Sequence, residues 1–260
     1  MAVAVVLLLS SLAQLLPTAR AASDQVWNTT FAFDRGDKSD PGAAFFAESG
    51  VDQPWLGYIS HPSSFYAAGT QRTYLVWQGD WDFSPHIIAY DHLSRSWSEP
   101  IVITHDNPVR GDGHGAPVVI VSATGTLHVF CCSHDSALQY YRSTDANDLR
   151  TWTHMPSPVA TGSYPNVFSY GSKIFLMYRD AAPGSGAHFA ILNSTDDGAT
   201  WGTLTWLLDL EQYWGNFAVQ GNRLYFSWNK FATPLLKRVN VYVCYMDLDT
   251  RDVYSMDGTN

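Results

Sequence analysis

The sequence predicts an all-β protein, a β-propeller of four-stranded antiparallel blades. Three observations carry that prediction. A polar turn ending in an aromatic residue recurs about every fifty residues. Short apolar strand patterns recur in step with it, and helical periodicity is absent after the first twenty or so residues.

The turns come first because they set the period. Ser194 to Trp201 reads STDDGATW, and Ser143 to Trp152 reads STDANDLRTW, a looser copy with two extra residues. Asp91 to Trp97 (DHLSRSW) and Asp247 to Tyr254 (DLDTRDVY) are more distant copies. The closing aromatics Trp97, Trp152, Trp201 and Tyr254 are 55, 49 and 53 residues apart. In STDDGATW, Asp196 is placed to accept backbone N–H groups of the turn, Gly198 to take a positive φ, and Trp201 to pack between blades.

The strands follow the same period. An apolar run opens each repeat: SSFYA, APVVIV, NVFSY and NFAVQ. A turn containing Gly69, Gly125, Gly171 or Gly221 leads to a second strand: TYLVW, LHVFC, IFLMY or LYFSW. A third strand follows in HIIAY, LQYYR, HFAIL and VNVYVCYM, and a weaker fourth run lies after the aromatic. Blades are therefore expected at about 57–108, 109–158, 159–210 and 211–260. Closure is what protects the edges of a propeller and most rings need more blades than these, so the chain reads as a partial propeller, with a small propeller or self-assembly as alternatives.

Ahead of the blades, residues 1–21 read as a signal peptide, with an apolar run from Val3 to Leu16 and a small-x-small site at Ala19-Arg20-Ala21. Residues 22–56 read as an N-terminal segment able to supply blade-closing strands. Secretion is the expected localisation, with no membrane contact once the signal is removed. Asn28 and Asn193 head N-glycosylation triplets, so a glycoprotein is expected. Cys131, Cys132 and Cys244 are an odd, sparse set. They read as buried thiols, or as one bridge from Cys244 to either neighbour.

A composition of 46% hydrophobic and 14% aromatic residues excludes a disordered chain. The net charge of −9 argues against nucleic acid as a partner and against a broad polyanion-binding surface. A local basic patch from Arg179, Lys230, Lys237 and Arg238 would still suit an acidic ligand.

Candidate site residues sit at matching places in the repeats. At the entrance to the first strand stand His61, His114, Tyr164 and Trp214, spaced by 53, 50 and 50 residues. Just past the second strand stand Gly79-Asp80, Ser133-His134, Arg179-Asp180 and Asn229-Lys230. Both places converge on one rim of a propeller's central channel. Their side chains are protic or charged, as proton transfer requires.

GHGAP at His114, SHDS at His134, SYPN at Tyr164 and MYRD at Arg179 resemble the motif series of the BNR-repeat propeller polysaccharide lyases, the ulvan lyases. STDDGATW resembles the Asp-box of the same propellers. The resemblance implies a larger, seven-bladed propeller, secretion and β-elimination at a uronic acid of a sulfated, ulvan-like polysaccharide. It implies that Arg179 and His134 neutralise the uronate carboxylate. His114 and Tyr164 would share the base and acid roles, in an order the residues leave open. Tyr213, Tyr225, Lys230 and Arg238 are candidate substrate contacts. The chemistry requires no cofactor; the family leaves room for a structural calcium or zinc, whose ligands are not legible here. Two rival readings stand beside this one. A sialidase-like glycoside hydrolase would need several clustered arginines. A non-catalytic glycan-binding propeller would use platforms such as Trp55, Trp81 and Trp214.

Overall fold

The computed structural model describes residues 60–79, 83–180, 188–207, 215–232 and 237–260, with backbone alone for 231–232 and 237–238. Seventeen strands form four antiparallel sheets. The first holds β1 (Ser64–Ala67), β2 (Arg72–Gln78), β3 (Pro85–Asp91) and β4 (Ser96–Trp97), with β5 (Ile101–Val102) also paired to β3. The second is β6 (Val118–Val121), β7 (Leu127–Cys131), β8 (Gln139–Ser143) and β9 (Trp152–Met155). The third is β10 (Gly162–Tyr170), β11 (Lys173–Asp180), β12 (His188–Ser194) and β13 (Thr205–Trp206). The fourth is β14 (Gly215–Gln220), β15 (Arg223–Ala232), β16 (Lys237–Asp247) and β17 (Val253–Ser255). These are the four expected blades in the expected strand order. The signal segment, Asn28 and residues 22–56 lie outside the described residues. Among the described residues no helix is long and apolar enough to cross a membrane.

Side chains alternate along a strand, so each sheet offers two faces and needs two neighbours. Val119, Val121, Val129 and Tyr141 of the second blade pack with Tyr74, Val76, Ile87 and Ala89 of the first. Val118, Ile120, Phe130 and Tyr140 face the other way, onto Val167, Ile174, Leu176 and Tyr178 of the third. Phe175, Met177, Phe189 and Ile191 then meet Leu224, Phe226, Trp228 and Met246 of the fourth. This is why β6 is a continuous buried VVIV. By contrast β14 alternates between half-buried and exposed residues, because only one of its faces meets another described blade. In β16 of the same sheet Val241 and Val243 are exposed.

The turns act as expected, with informative variations. Asp196 accepts the Thr200 N–H at 2.9 Å and the Ser194 hydroxyl at 2.7 Å, and Gly198 has φ +75°. The Thr200 hydroxyl and N–H hold the Asp196 carboxyl down at about 2. Trp201 sets its edge against Phe130 and Tyr140 of the preceding blade, at 5.6 and 5.8 Å. In the longer second turn the two extra residues move the capping role to Asp148, which accepts the N–H groups of Arg150 and Thr151. Asp91 and Asp247 cap the first and fourth turns in the same way. In the first hairpin the left-handed residue is Gln71 (φ +51°), while Gly125, Gly171 and Gly221 fill that role in the others.

One expectation is corrected. All three cysteines are free; Cys131 and Cys132 lie between the first and second blades, whereas Cys244 packs between the third and fourth. Two seams separate the proposed partners, so no bridge forms. Asn193 is half-buried within β12 and its amide oxygen accepts from Arg251 Nη2. In the folded chain this side chain is therefore engaged in packing.

One turn also pins its neighbour. Asp197 accepts hydroxyls of Thr124 (2.9 Å) and Thr126 (2.8 Å) and the Arg142 guanidinium (3.2 Å) of the second blade. It also lies 3.3 Å from Nε2 of the fully buried His128, whose Nδ1 meets the Tyr140 hydroxyl at 2.7 Å. Burial outweighs the Asp197 charge and lowers the His128 pKa below 6.5. Burial raises Asp197, but its hydrogen bonds with His128 and the hydroxyls win and hold it well below 3.8. Both folded values are depressed, so both groups contribute stability above their unfolded values and lose it as pH falls. Denaturant midpoints should fall as pH drops through about 6.5, and His128→Gln should flatten that limb. A Cβ at Gly198 would lie 1.9 Å from the Tyr140 hydroxyl, on a left-handed backbone. Gly198→Ala should therefore cost about 3 kcal/mol in chemical unfolding.

Candidate active site

The site forms where the second and third blades meet at one rim. Its first side chain sits on a 3-10 turn, Gly113–Gly115, just ahead of β6. Asp112 caps this turn by accepting the His114 N–H at 2.9 Å. Gly115 lets the turn lie against the neighbouring chain: a Cβ there would come 2.9 Å from Val109 and 3.1 Å from Cys132 Cα. The Cys132 N–H then donates to the Gly115 carbonyl at 3.0 Å, which ties the end of β7 to the turn. Of the glycines around His114, Gly115 thus serves packing, and Gly111 at φ +87° serves turning.

Beyond Cys132 the chain carries His134 and Asp135. The His134 ring stacks face to face on His114, with centroids 3.8 Å apart and planes 7° from parallel. One carboxylate holds both rings: Asp112 Oδ2 is 2.6 Å from His134 Nδ1, and Asp112 Oδ1 meets His114 Nδ1. Burial works to raise the Asp112 pKa, but the His114 N–H and the two ring contacts overcome it and the value is lowered. Asp112 is therefore an anion at neutral pH.

The third blade supplies the floor. Tyr164 sits in a bulge of β10 between Ser163 and Asn166, with φ +57°. The Asn166 amide donates to its carbonyl at 2.8 Å. Its ring is 5.7 Å from His114, and the Arg179 guanidinium lies 4.6 Å above it, within cation–π range. Tyr164 and Arg179 are 2% and 5% exposed, so the phenol and guanidinium form a buried floor below two half-exposed imidazoles. Arg179 Nη2 donates to Asp135 at 2.7 Å and to Ser163 Oγ at 3.3 Å. Ser163 Oγ in turn donates to Asp135 and accepts its N–H, each at 2.8 Å. Burial opposes ionisation of Asp135, while Arg179 and Ser163 favour it and prevail.

The structure thus brings His114, His134, Tyr164 and Arg179 together. The salt-bridge partner of Arg179 is Asp135, not its neighbour Asp180, which accepts from Trp206 Nε1 at 3.1 Å. His61 lies on the same central line, bridged to Asn166. Lys230 is at the rim end of β15, paired with Val239. Tyr225 is not at that rim: it pairs with Ala218 near the Gln220–Arg223 hairpin, at the far end of the sheet, and packs on Tyr245. Arg238 has its backbone in β16, paired with Phe231. Tyr213, Trp214, Trp55, Trp81 and Asp80 lie outside the described residues. Sequence reading missed Asp112, Asp135 and Ser163. Asp112 stands two residues before His114 and Asp135 directly follows His134, so a search for carboxylates able to orient the histidines would have found both.

Asp112, His114 and His134 are the one group of three such donors, among the described residues, close enough to consider as metal ligands. Their arrangement does not suit an ion. With the rings face to face, an ion in the plane of one ring lies well out of the plane of the other, and a zinc–imidazole bond of about 2 Å is in-plane. Both Nδ1 atoms are also engaged by the carboxylate.

Comparison with known proteins places this site in context. The sequence pattern described as BNR repeat-containing family member matches residues 72–260. The "Ulvan Lyase-PL25" of Pseudoalteromonas sp. (strain PLSV) is 24% identical over 208 residues, covering 72% of this chain and 40% of that protein. The ulvan lyase of Alteromonas sp. (strain LOR) is 24% identical over 178 residues, covering 60% of this chain and 36% of that one. The chain therefore spans about 40% of the length of these curated relatives. A PL25 ulvan lyase solved with an oligosaccharide of glucuronic acid and sulfated rhamnose superposes with a TM-score of 0.72 at 19% identity, covering 84% of this chain and 58% of that one. The polysaccharide lyase Uly1 gives 0.60 at 12% identity, covering 91% and 60%. Such identities establish the propeller architecture.

Asp135→Ala would strip an almost buried guanidinium of its counter-charge. Because Asp135 itself is half exposed, the loss should be about 1–2 kcal/mol rather than that of a fully buried pair, read from urea unfolding.

Proposed function

The chain belongs to the BNR repeat-containing family, and from that premise we propose that it is a secreted polysaccharide lyase cleaving uronic-acid-containing, ulvan-like sulfated polysaccharide by β-elimination. The observation that carries this reading is the assembly of His114, His134, Tyr164 and Arg179 on one rim, with ring separations of 3.8 and 5.7 Å and the guanidinium 4.6 Å from the phenol ring.

The chemistry fits these groups. The C5 proton of a uronate is weakly acidic because the adjacent carboxylate resists further negative charge. Arg179 neutralises that carboxylate, and its 2.7 Å contact with Asp135 is an example of the bond the substrate would make. His134 adds a hydrogen bond to the same carboxylate. A base then takes the C5 proton, the C5–H electron pair becomes the C4=C5 double bond, and the C4–O4 bond breaks. An acid returns a proton to the departing O4. His114 and Tyr164 share these two transfers. A low-dielectric floor under the carboxylate strengthens the guanidinium's hold as charge develops.

The relatives named ulvan lyases support this substrate class. A sialidase-like reading loses ground because other arginines work elsewhere. Arg72 pairs with Asp91, Arg142 with Asp197, and Arg251 with Asn193 and Thr205.

Mixing the purified protein with ulvan should raise ultraviolet absorbance as the unsaturated uronate forms. His114→Ala and Tyr164→Phe should each slow that rise about 10²- to 10⁴-fold. Arg179→Lys should also fail to restore it, since a point charge cannot replace the fork. A flat trace from folded protein, with ulvan retained on a binding assay, would establish a glycan-binding propeller instead.

A further inference from the structure

The two histidines are set by a single acceptor. Asp112 is ionised, and an ionised carboxylate accepts hydrogen bonds but donates none. Each ring nitrogen facing it must then carry the hydrogen. Those nitrogens are Nδ1 of both His114 and His134, on the two oxygens of the same carboxylate. With the rings stacked at 3.8 Å and both Nδ1 atoms on Asp112, each half-exposed ring leaves its Nε2 outside the carboxylate contact.

We propose that Asp112 is the positioning residue of this site: by holding both imidazoles in the Nδ1–H form, it turns two bare Nε2 atoms toward the substrate. This rests on the lyase reading for its catalytic consequence, but the tautomers themselves do not. A histidine held this way accepts a proton at Nε2 and is ready to act as a base. It can donate from Nε2 only as an imidazolium. If His134 donates to the uronate carboxylate it does so charged, with Asp112 as its counter-ion and His114 as the neutral partner. In that state one ring accepts at Nε2 and the other donates, although Asp112 holds both by the same nitrogen. The cap that Asp112 makes on the His114 N–H keeps the carboxylate itself in register.

Long-range proton–nitrogen NMR of the uniformly ¹⁵N-labelled protein reads the tautomers directly, with His114→Gln and His134→Gln spectra assigning the signals. The expected wild-type result is Nδ1–H for both rings. In Asp112→Asn the amide can still cap the turn, but its NH₂ side now donates, so one ring should switch to Nε2–H. On ulvan, kcat should fall by about 10- to 100-fold with KM nearly unchanged. A wild-type spectrum with either ring as Nε2–H overturns the proposal, even if the variant does not fold. So does an Asp112→Asn protein with both tautomers and kcat unchanged. Wild-type protein inert on ulvan, yet showing both Nδ1–H forms, would remove the lyase reading and leave the role of Asp112 in setting the tautomers standing.

Discussion

Everything in this protein depends on sheets that must be covered on both faces. An isolated four-stranded blade would leave both of its apolar faces in water, so a blade is stable only against its neighbours. Val118 and Ile120 point to one neighbour, and Val119 and Val121 to the other. That alternation fixes how far each blade turns relative to the next. The same packing decides where the rim residues of adjacent blades meet. The site is therefore a property of a seam rather than of any one blade: Asp112, His114 and His134 come from the second blade, and Tyr164 and Arg179 from the third.

The chemistry at this seam is organised by two carboxylates rather than by the protic groups themselves. Asp112 gathers the imidazoles and Asp135 gathers the guanidinium. Their charges stand against those of Arg179 and of a histidine when protonated. This answers the tension between a net charge of −9 and the acidic substrate proposed. The acidic residues that give the chain its charge are concentrated in turns, as with Asp91, Asp148, Asp196 and Asp247, where they cap backbone N–H groups. The positive charge that the proposed uronate substrate would need is local, and buried Arg179 offers it in a place where screening by water is weak.

The architecture was legible because its causes are periodic. Turn, glycine and strand each recur about every fifty residues, and a pattern repeated four times outweighs ambiguity in any one copy. The candidate site was legible in its protic members because His114 and Tyr164 occupy repeat-equivalent positions, and His134 and Arg179 both stand just past the second strand of their blades. Tyr225 was misjudged because strand membership alone does not say which end of a sheet a residue occupies; the register with Ala218 does. Asp112 and Asp135 were not legible from the repeat at all. Their importance comes from tertiary contacts, one within the second blade and one across the seam: 22 residues separate Asp112 from His134, and 44 separate Asp135 from Arg179. The cysteines show the same limit, since their separation by two seams is a fact of packing.

Backbone conformation distinguishes the turns from the site in a way that composition does not. Outside glycine, the left-handed residues of the polar turns and hairpins are Gln71, Arg95, Asn147, Asp197 and Arg251. Turns admit such residues at low cost, Asn and Asp most readily. At the site the left-handed residues are Cys132, Asp135 and Tyr164, and a buried tyrosine in that region costs on the order of 1–3 kcal/mol. Such residues persist only where neighbours over-determine them, and each has its own clamp. Cys132 donates to the Gly115 carbonyl, Asp135 donates to Ser163 Oγ, and the Tyr164 carbonyl accepts from Asn166. The three clamps involve a glycine, a serine and an asparagine, of which Ser163 also accepts from Arg179. They hold the segments carrying His134 and Tyr164 against the neighbouring chain. A site built this way gains its precision from hydrogen bonds one layer below the chemistry.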